Sequence, residues 1–344
     1  MAAAEGRTAL AVATPGDDAK PVDRRGLSAG DHVAVDTPRR QDITALPPAR
    51  HLALMAVGTV AVGTSGPLIV ATAVPALAIA FWRNAFGTAA VSVPALLRRR
   101  SRAELMHMPG RLWLFAVLAG LLLAGHFGAW IPSLDYTSVT SSIALVSTQP
   151  IWAALLARLA GFPVPGRVWL GIVIALIGIL VLTGVDLTVS ARALVGDLLA
   201  LAGAMFAAGY VTAGAVVRRH VSTATYTTVC YGVCALALLG VCLSAGIALS
   251  GYDAADWLRL AALTAGPQLL GHTIFNHVLQ STSATLVSLA ILLEVPIAAI
   301  LAALWLGQTP PLAVLPAAAL LLAGIVVVVG SGTSSGAPRS VPVD

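Results

Sequence analysis

Long apolar runs separated by short polar connections make up most of the chain between residues 50 and 330. A helix that crosses a bilayer needs about 20 apolar residues, because each residue adds about 1.5 Å along the helix axis. Ten runs approach or exceed this length: 52–72, 75–97, 112–133, 137–159, 168–185, 196–217, 224–249, 257–279, 283–305 and 311–330. The pattern predicts an all-α polytopic membrane protein with ten transmembrane helices.

Both ends of the chain differ from this apolar centre. Residues 1–50 mix Asp, Arg, Pro, Gly and Thr and contain no apolar run long enough for a signal peptide. We expect them to form a disordered cytoplasmic tail. Residues 331–344 are rich in Ser and Gly, which predicts a short flexible C-terminal tail.

The composition excludes a soluble enzyme. Of the 344 residues, 58% are hydrophobic and 10% are charged, whereas soluble domains are about 25% charged. The net charge of +5 comes from short arginine clusters between apolar runs. A nucleic-acid-binding face would instead carry a continuous basic stripe, so we expect no nucleic acid partner and assign the arginines to membrane topology.

Arginine placement predicts the orientation of the chain. With the N-terminus inside, nine arginines fall in cytoplasmic connections: Arg98, Arg99, Arg100, Arg102, Arg111, Arg158, Arg167, Arg218 and Arg219. Arg192 and Arg259 fall in outer connections. Because basic residues accumulate on the cytoplasmic side, we expect a multi-pass protein of the inner or plasma membrane with both termini in the cytoplasm.

The two halves of the chain resemble each other. A constant shift of 146 positions pairs Gly125 with Gly271, His126 with His272, Pro150 with Pro296, Gly161 with Gly307, Pro165 with Pro311, and Gly178 with Gly324. The repeats are 51–185 and 196–330. Since each contains five spans, an odd number, the second repeat must be inverted relative to the first. Inverted repeats recur in secondary transporters, where they allow one site to open to either side.

Local motifs resemble the EamA-type drug/metabolite transporters. They are Pro75 followed by Phe81-Trp82-Arg83, the corner 133–138 (Ser-Leu-Asp-Tyr-Thr-Ser), the mid-helix Pro150 and Pro296, and Gly196-Asp197. The resemblance covers about 52–330 and implies outward transport of small organic metabolites or drugs. No Walker loop accompanies the spans, so we expect no ATP hydrolysis and no cofactor. Many members carry a glutamate where this chain has Leu306-Gly307-Gln308, so a role of that glutamate does not transfer.

Polar residues within the predicted spans are the candidate site. Charges inside a bilayer cost about 2.5–3.5 kcal/mol on insertion scales, and Arg83 and Glu294 lie well inside their spans. The repeat relates His126 to His272, and each histidine shares a helix face with the residue four positions later. We therefore predict a substrate site formed by Trp82, Arg83, His126, Trp130, His272 and Asn276. The alternative is that these groups only hydrogen-bond between packed helices.

Glu294 is the candidate proton-coupling residue. It is the acidic residue nearest the middle of a predicted span. Counting residues from the span ends places His126 about 5 Å towards the outer side and His272 about 6 Å towards the inner side, so Glu294 is expected between two imidazoles in a relay. Pro296 has no N–H for the carbonyl of Leu292 and is expected to loosen the helix there.

Other functions are weaker interpretations of the same sequence. Gly63-Thr64-Ser65-Gly66 matches the short motif of intramembrane serine hydrolases, and a passive channel remains an alternative to a carrier. Asp253 and Asp256 lack a second acidic cluster, which favours a solvated loop. Cys230 and Cys234 lack a second ligand pair, so we predict no metal site. We expect a secondary active transporter, not an enzyme, whose partners are a small-molecule substrate, the lipid bilayer and, as a candidate, a second copy of the chain.

Overall fold

Helices account for all the regular structure in the described part of the chain. A computed structural model of the protein describes residues 47–137, 139–183, 190–306 and 314–329. The predicted tails, apart from residues 47–50, lie outside these ranges, as do Gly307 and Gln308. The helices are α1 Ala49–Gly63, α2 Ser65–Val70, α3 Ala76–Leu97, α4 Arg99–His107, α5 Gly110–Ser133, α6 Val139–Val146, α7 Gln149–Leu159, α8 Gly166–Thr183, α9 Ala191–Arg218, α10 Thr223–Ser244, α11 Ala254–Leu263, α12 Thr273–Val278, α13 Ala284–Ile291, α14 Glu294–Leu306 and α15 Val314–Val329.

The prediction of an all-α membrane protein is confirmed. Five helical segments within the described ranges are long and apolar enough to cross a membrane: Ala49–Val70, Ala76–Leu97, Gly110–Ser133, Ala191–Arg218 and Thr223–Ser244. The other five predicted spans are shorter helices or helices that are interrupted. One of them contains a π-helical segment, Thr264–His272, between α11 and α12.

The interruptions occur at corresponding places in the two repeats. The helix of the fourth predicted span breaks between α6 and α7, immediately before Gln149 and Pro150. The ninth breaks between α13 and α14, two residues before Pro296. A proline cannot donate the backbone hydrogen bond that a continuous helix needs at that turn. The expected loosening near Leu292 is present as a two-residue interruption of the α-helix, where backbone hydrogen bonds join residues three apart, such as Val295 N–H to the oxygen of Leu292 at 3.2 Å.

Helix packing also follows the two repeats. Helix α3 packs along α10, and α8 packs along α15, so each of these pairs joins equivalent helices of the two halves. Helix α5 packs on α9, while its counterpart, the π-helical segment, packs on α1. This exchange of partners is what a two-fold relation between the repeats requires.

Glycine contacts between α8 and α15 are reciprocal. A Cβ atom on Gly178 would lie 3.0 Å from the backbone oxygen of Ala317, and one on Gly324 would lie 2.5 Å from the backbone oxygen of Gly171. The shift of 146 positions maps Gly178 onto Gly324 and Gly171 onto Ala317. The absence of side chains at these glycines lets the two helices approach each other closely.

The connection 98–111, between the second and third predicted spans, contains the helix α4. Its sequence is rich in Arg, Ala, Glu and Leu, which favour helix, but it is too polar to resemble a span. Glu104 accepts hydrogen bonds from the backbone N–H and hydroxyl of Ser222 (3.0 and 2.6 Å) and from the hydroxyl of Thr225 (2.6 Å). It thereby joins α4 to the N-terminus of α10, where helix dipoles favour a negative charge.

The environment of Glu104 keeps its carboxylate ionised. Burial alone would raise the pKa of Glu104, but the hydrogen bonds from Ser222 and Thr225 outweigh it, and the pKa falls to about 2. Arg100 adds an ion pair at 3.0 Å. The contact between α4 and α10 is therefore charge-assisted across the physiological pH range.

Candidate functional site

A central cavity lies between the two repeats. It contains about 750 Å³ of empty space, including the part that is continuous with solvent. The predicted residues that line it are Arg83, His126, Trp130, His272, Asn276 and Glu294. Residues of α3 and α5 thus meet residues of the π-helical segment, α12 and α14 around one space.

Arg83 is fully buried at the wall of this cavity. Its Nε donates to Gln268 Oε1 at 3.1 Å, and its Nη1 donates to Ser65 Oγ at 3.3 Å. The guanidinium carbon lies 4.2 Å from the centre of the Phe127 ring, a cation–π contact. The side chain is therefore held on two edges and one face.

Gln268 is oriented for this contact by a second hydrogen bond. Its Nε2 donates to Asn84 Oδ1 at 3.0 Å, which leaves Oε1 for Arg83. Gln268 is fully buried and lies in the π-helical segment. Insertions of this type occur frequently at functional sites because they turn side chains away from the regular helical positions. Gln268 was not among the predicted site residues. The signal that could have identified it is an amide side chain in the middle of an apolar run.

The two repeat-related histidines share the cavity. His126 Nδ1 lies 3.0 Å from the backbone oxygen of Gly203. A carbonyl only accepts, so Nδ1 carries the proton and Nε2 of the neutral ring is an acceptor. Trp130 stacks on His126 with ring centres 5.7 Å apart and planes at 9°. The ring centres of His126 and His272 are 6.4 Å apart.

This distance corrects the predicted separation of the imidazoles. Counting along straight helices placed His126 and His272 about 11 Å apart in depth, whereas the rings are neighbours. The count assumed two straight α-helices with their midpoints at one depth, whereas His272 ends a π-helical segment. The structure therefore does not support a relay in which the two histidines reach towards opposite faces.

Asn276 belongs to a hydrogen-bonded cluster beside the cavity. Its Oδ1 accepts from Tyr210 Oη at 2.6 Å, and its Nδ2 donates to Tyr231 Oη at 3.2 Å. Tyr231 Oη lies 3.0 Å from Thr273 Oγ1. Asn276 is fully buried, so this network fixes the amide and the Tyr210 ring that also lines the cavity.

Trp82 is the predicted site residue that does not line the central cavity. Its indole donates to the backbone oxygen of Leu249 at 2.9 Å, and its ring packs against Trp257 with centres 5.0 Å apart. Neighbouring residues on a helix point about 100° apart. The rotation of α3 that turns Arg83 inwards therefore turns Trp82 towards the connection between α10 and α11.

Glu294 is the first residue of α14 and is half-buried at the cavity wall. It therefore lies at the break between α13 and α14, where first-turn N–H groups lack partners in their own helix. On the facing helix α7, Gln149 donates to Ser288 Oγ at 2.8 Å. Gln149 and Ser288 also line the cavity and were not predicted.

Two other sequence features have structural roles here. Ser65 accepts its hydrogen bond from Arg83, whereas a serine nucleophile needs a base that takes its proton. Asp256 is not in a solvated loop as expected; it is buried, accepts from the backbone N–H of Ala73 at 3.1 Å and pairs with Arg259 at 2.8 Å. Asp253 caps α11 by accepting from the N–H of Asp256. These contacts give both features a structural role.

The fold and cavity define a polytopic helical membrane protein built from two repeats around a central site, which is the architecture of a solute transporter. The family model of the EamA-like transporter family matches residues 50–184 and 194–330. The chain belongs to this family, and it is therefore a membrane transporter of the drug/metabolite transporter superfamily.

Comparisons with individual proteins add support for the fold alone. A solved structure described only as "Crystal structure of protein" superposes with a TM-score of 0.67 and 20% sequence identity. The match covers 83% of this chain and 99% of that one. No curated protein matches this chain.

Proposed function

We propose that the protein is a secondary active transporter that exports small organic solutes across the inner or plasma membrane. The observation that carries this proposal is a cavity between two repeats, lined by polar and aromatic side chains from both. Arg83, His126, Trp130, His272 and Asn276 contact the solute. Outward direction and the metabolite or drug class are implied by the family.

Glu294 is the coupling residue in this proposal. Its side chain lines the same cavity as the solute-binding groups, so its charge acts on the bound solute. By linkage, a solute whose affinity depends on the charge of Glu294 changes the proton affinity of Glu294 by the same factor. Proton coupling and solute exchange are the two modes that one carboxylate at this position supports.

Counterflow in proteoliposomes tests carrier function. Comparing the culture media of deletion and overexpressing cells identifies candidate solutes, and vesicles are then loaded with one of them. We expect labelled solute that is added outside to accumulate transiently and saturably inside the vesicles, because a carrier exchanges its bound solute across the membrane. Non-saturable equilibration without accumulation would indicate a channel and contradict the proposal.

The proposed topology is tested by cysteine labelling in intact cells. The background is a variant in which Cys230, Cys234 and Cys242 are replaced. Met106 on α4 is 76% exposed, and Ser250 is exposed in the connection between α10 and α11. We expect an impermeant maleimide to label Ser250→Cys but to label Met106→Cys only after permeabilisation. The reverse pattern would contradict cytoplasmic termini.

A further inference from the structure

We infer that the transported solute carries a carboxylate, which binds to Arg83 Nη2 and Trp130 Nε1 in the central cavity. This inference rests on the proposed function, since it identifies the chemical class of solute for the same site. It is carried by buried donors that have no hydrogen-bond partner among the described residues, and by the positive charge of Arg83.

Three side chains that line the cavity have a buried polar atom without a hydrogen-bond partner among the described residues. They are Arg83 with Nη2, Trp130 with Nε1 and Ser147 with Oγ. Their side chains are 0%, 7% and 4% exposed. A buried donor that lacks a partner is unfavourable, and more so when it is charged. A bound acceptor that reaches Nη2 of Arg83 or Nε1 of Trp130 would remove this penalty.

The orientation of Arg83 leaves one nitrogen for a ligand. Gln268 and Ser65 occupy Nε and Nη1, and Phe127 covers one face of the guanidinium. Because Asn84 holds Gln268 in place, the guanidinium is positioned before any solute arrives. Preorganised donors of this kind bind an anion at a low cost in side-chain entropy.

The charge of Arg83 selects the sign of the ligand. Within the described residues the ion pairs are Arg100–Glu104 and Arg259–Asp256, so Arg83 has no carboxylate within ion-pair distance there. Glu294 faces the same cavity as Arg83 but does not form an ion pair with it, and a buried cation without a close counter-ion is unfavourable. A carboxylate supplies both the missing charge and two acceptor oxygens, whereas an ammonium ligand would be repelled.

The remainder of the wall suits an apolar body. Val62, Phe275, Ile291 and Leu292 line the cavity together with the stacked Trp130 and His126 rings. A small organic acid with an aromatic or aliphatic body therefore fits the site, with its carboxylate at the Arg83 end.

Glu294 gives this assignment a consequence for transport. An ionised Glu294 and a bound carboxylate carry like charges in one cavity and repel each other. Protonation of Glu294 therefore favours carboxylate binding, and the binding of a carboxylate in turn favours the uptake of a proton by Glu294. Export is then driven by exchange for another carboxylate.

Binding to the purified full-length protein tests the inference with three ligands of matched shape: phenylacetate, phenylacetamide and phenethylamine. We expect phenylacetate to bind more tightly than the other two. Arg83→Gln is expected to weaken phenylacetate binding by roughly 30-fold or more, and Trp130→Phe, which removes one N–H and keeps the ring, by roughly 3- to 10-fold. Trp113→Phe is the matched control, since Trp113 is 37% exposed on another part of α5, and should leave binding unchanged.

Glu294→Gln supplies an independent arm, since removing the negative charge should tighten phenylacetate binding. If Arg83→Gln does not fold, two other comparisons test the inference. They are Trp130→Phe against Trp113→Phe, and Glu294→Gln against the unchanged protein. Tighter binding of phenethylamine than of phenylacetate would overturn the inference. So would a phenylacetate affinity that is the same in Trp130→Phe and in Glu294→Gln as in the unchanged protein. Counterflow of a cationic solute would do so while leaving the proposed transporter function intact.

Discussion

Glu294→Gln is expected to abolish net transport driven by a pH gradient while leaving solute exchange partly intact. Glutamine keeps the size of the side chain and much of its hydrogen bonding, but it cannot take up or release a proton. A carrier with this substitution resembles a permanently protonated form. It can therefore move loaded in both directions, but it gains nothing from a proton gradient.

The position of Glu294 explains why a large effect is expected. The carboxylate begins α14 directly after a helix break and lines the same cavity as Arg83. A break of this kind lets two half-helices move relative to each other with the repeats. The charge of Glu294 is thus placed where it acts on both the solute and the moving elements.

Proteoliposomes with an imposed pH gradient measure net transport driven by that gradient, and counterflow at equal pH measures solute exchange. Asp135→Asn is the matched control, because Asp135 is an exposed carboxylate at the end of α5. It should retain both activities. Full pH-driven transport by Glu294→Gln would show that the coupling residue lies elsewhere.

Gly324→Ala is expected to lower the stability of the protein, and Gly324→Leu is expected to prevent folding. A Cβ atom at Gly324 would lie 2.5 Å from the backbone oxygen of Gly171 and 3.1 Å from the backbone nitrogen of Ala175. Backbone atoms of a packed helix cannot turn aside as a flexible side chain can, so α8 and α15 must separate. Overpacking of this kind costs about 1–3 kcal/mol for a small group and more for a large one.

Thermal unfolding in detergent measures this effect, and size-exclusion chromatography reports whether Gly324→Leu gives folded protein. We expect Gly324→Ala to lower the unfolding midpoint by about 5 °C. Gly240→Ala is the control, because a Cβ atom at Gly240 meets no atom within 4 Å. That substitution should raise the midpoint slightly, since Ala favours helix over Gly by about 1 kcal/mol. Equal behaviour of Gly324→Ala and Gly240→Ala would contradict close packing of α8 on α15.

The sequence by itself determined the class of the protein and identified the charged residues within its apolar runs. Apolar run length and composition are local properties, and the bilayer requirement converts them directly into helices. The repeat was visible because His, Pro and Gly matches are rare enough to stand out against Ala and Leu. For the same reason Arg83 and Glu294 were identified, because charges are rare within apolar runs. Both residues lie at the cavity.

Tertiary structure alone decided which side chains meet. The rotation of α3 turns Arg83 inwards and Trp82 away, and that rotation is set by packing against α5 and α10. The π-helical segment brings Gln268 to Arg83 and His272 beside His126, a change of helical geometry that apolar periodicity does not reveal. Side-chain direction depends on contacts between residues distant along the chain, such as Gly171 with Gly324, whereas the existence of each helix depends on its own residues.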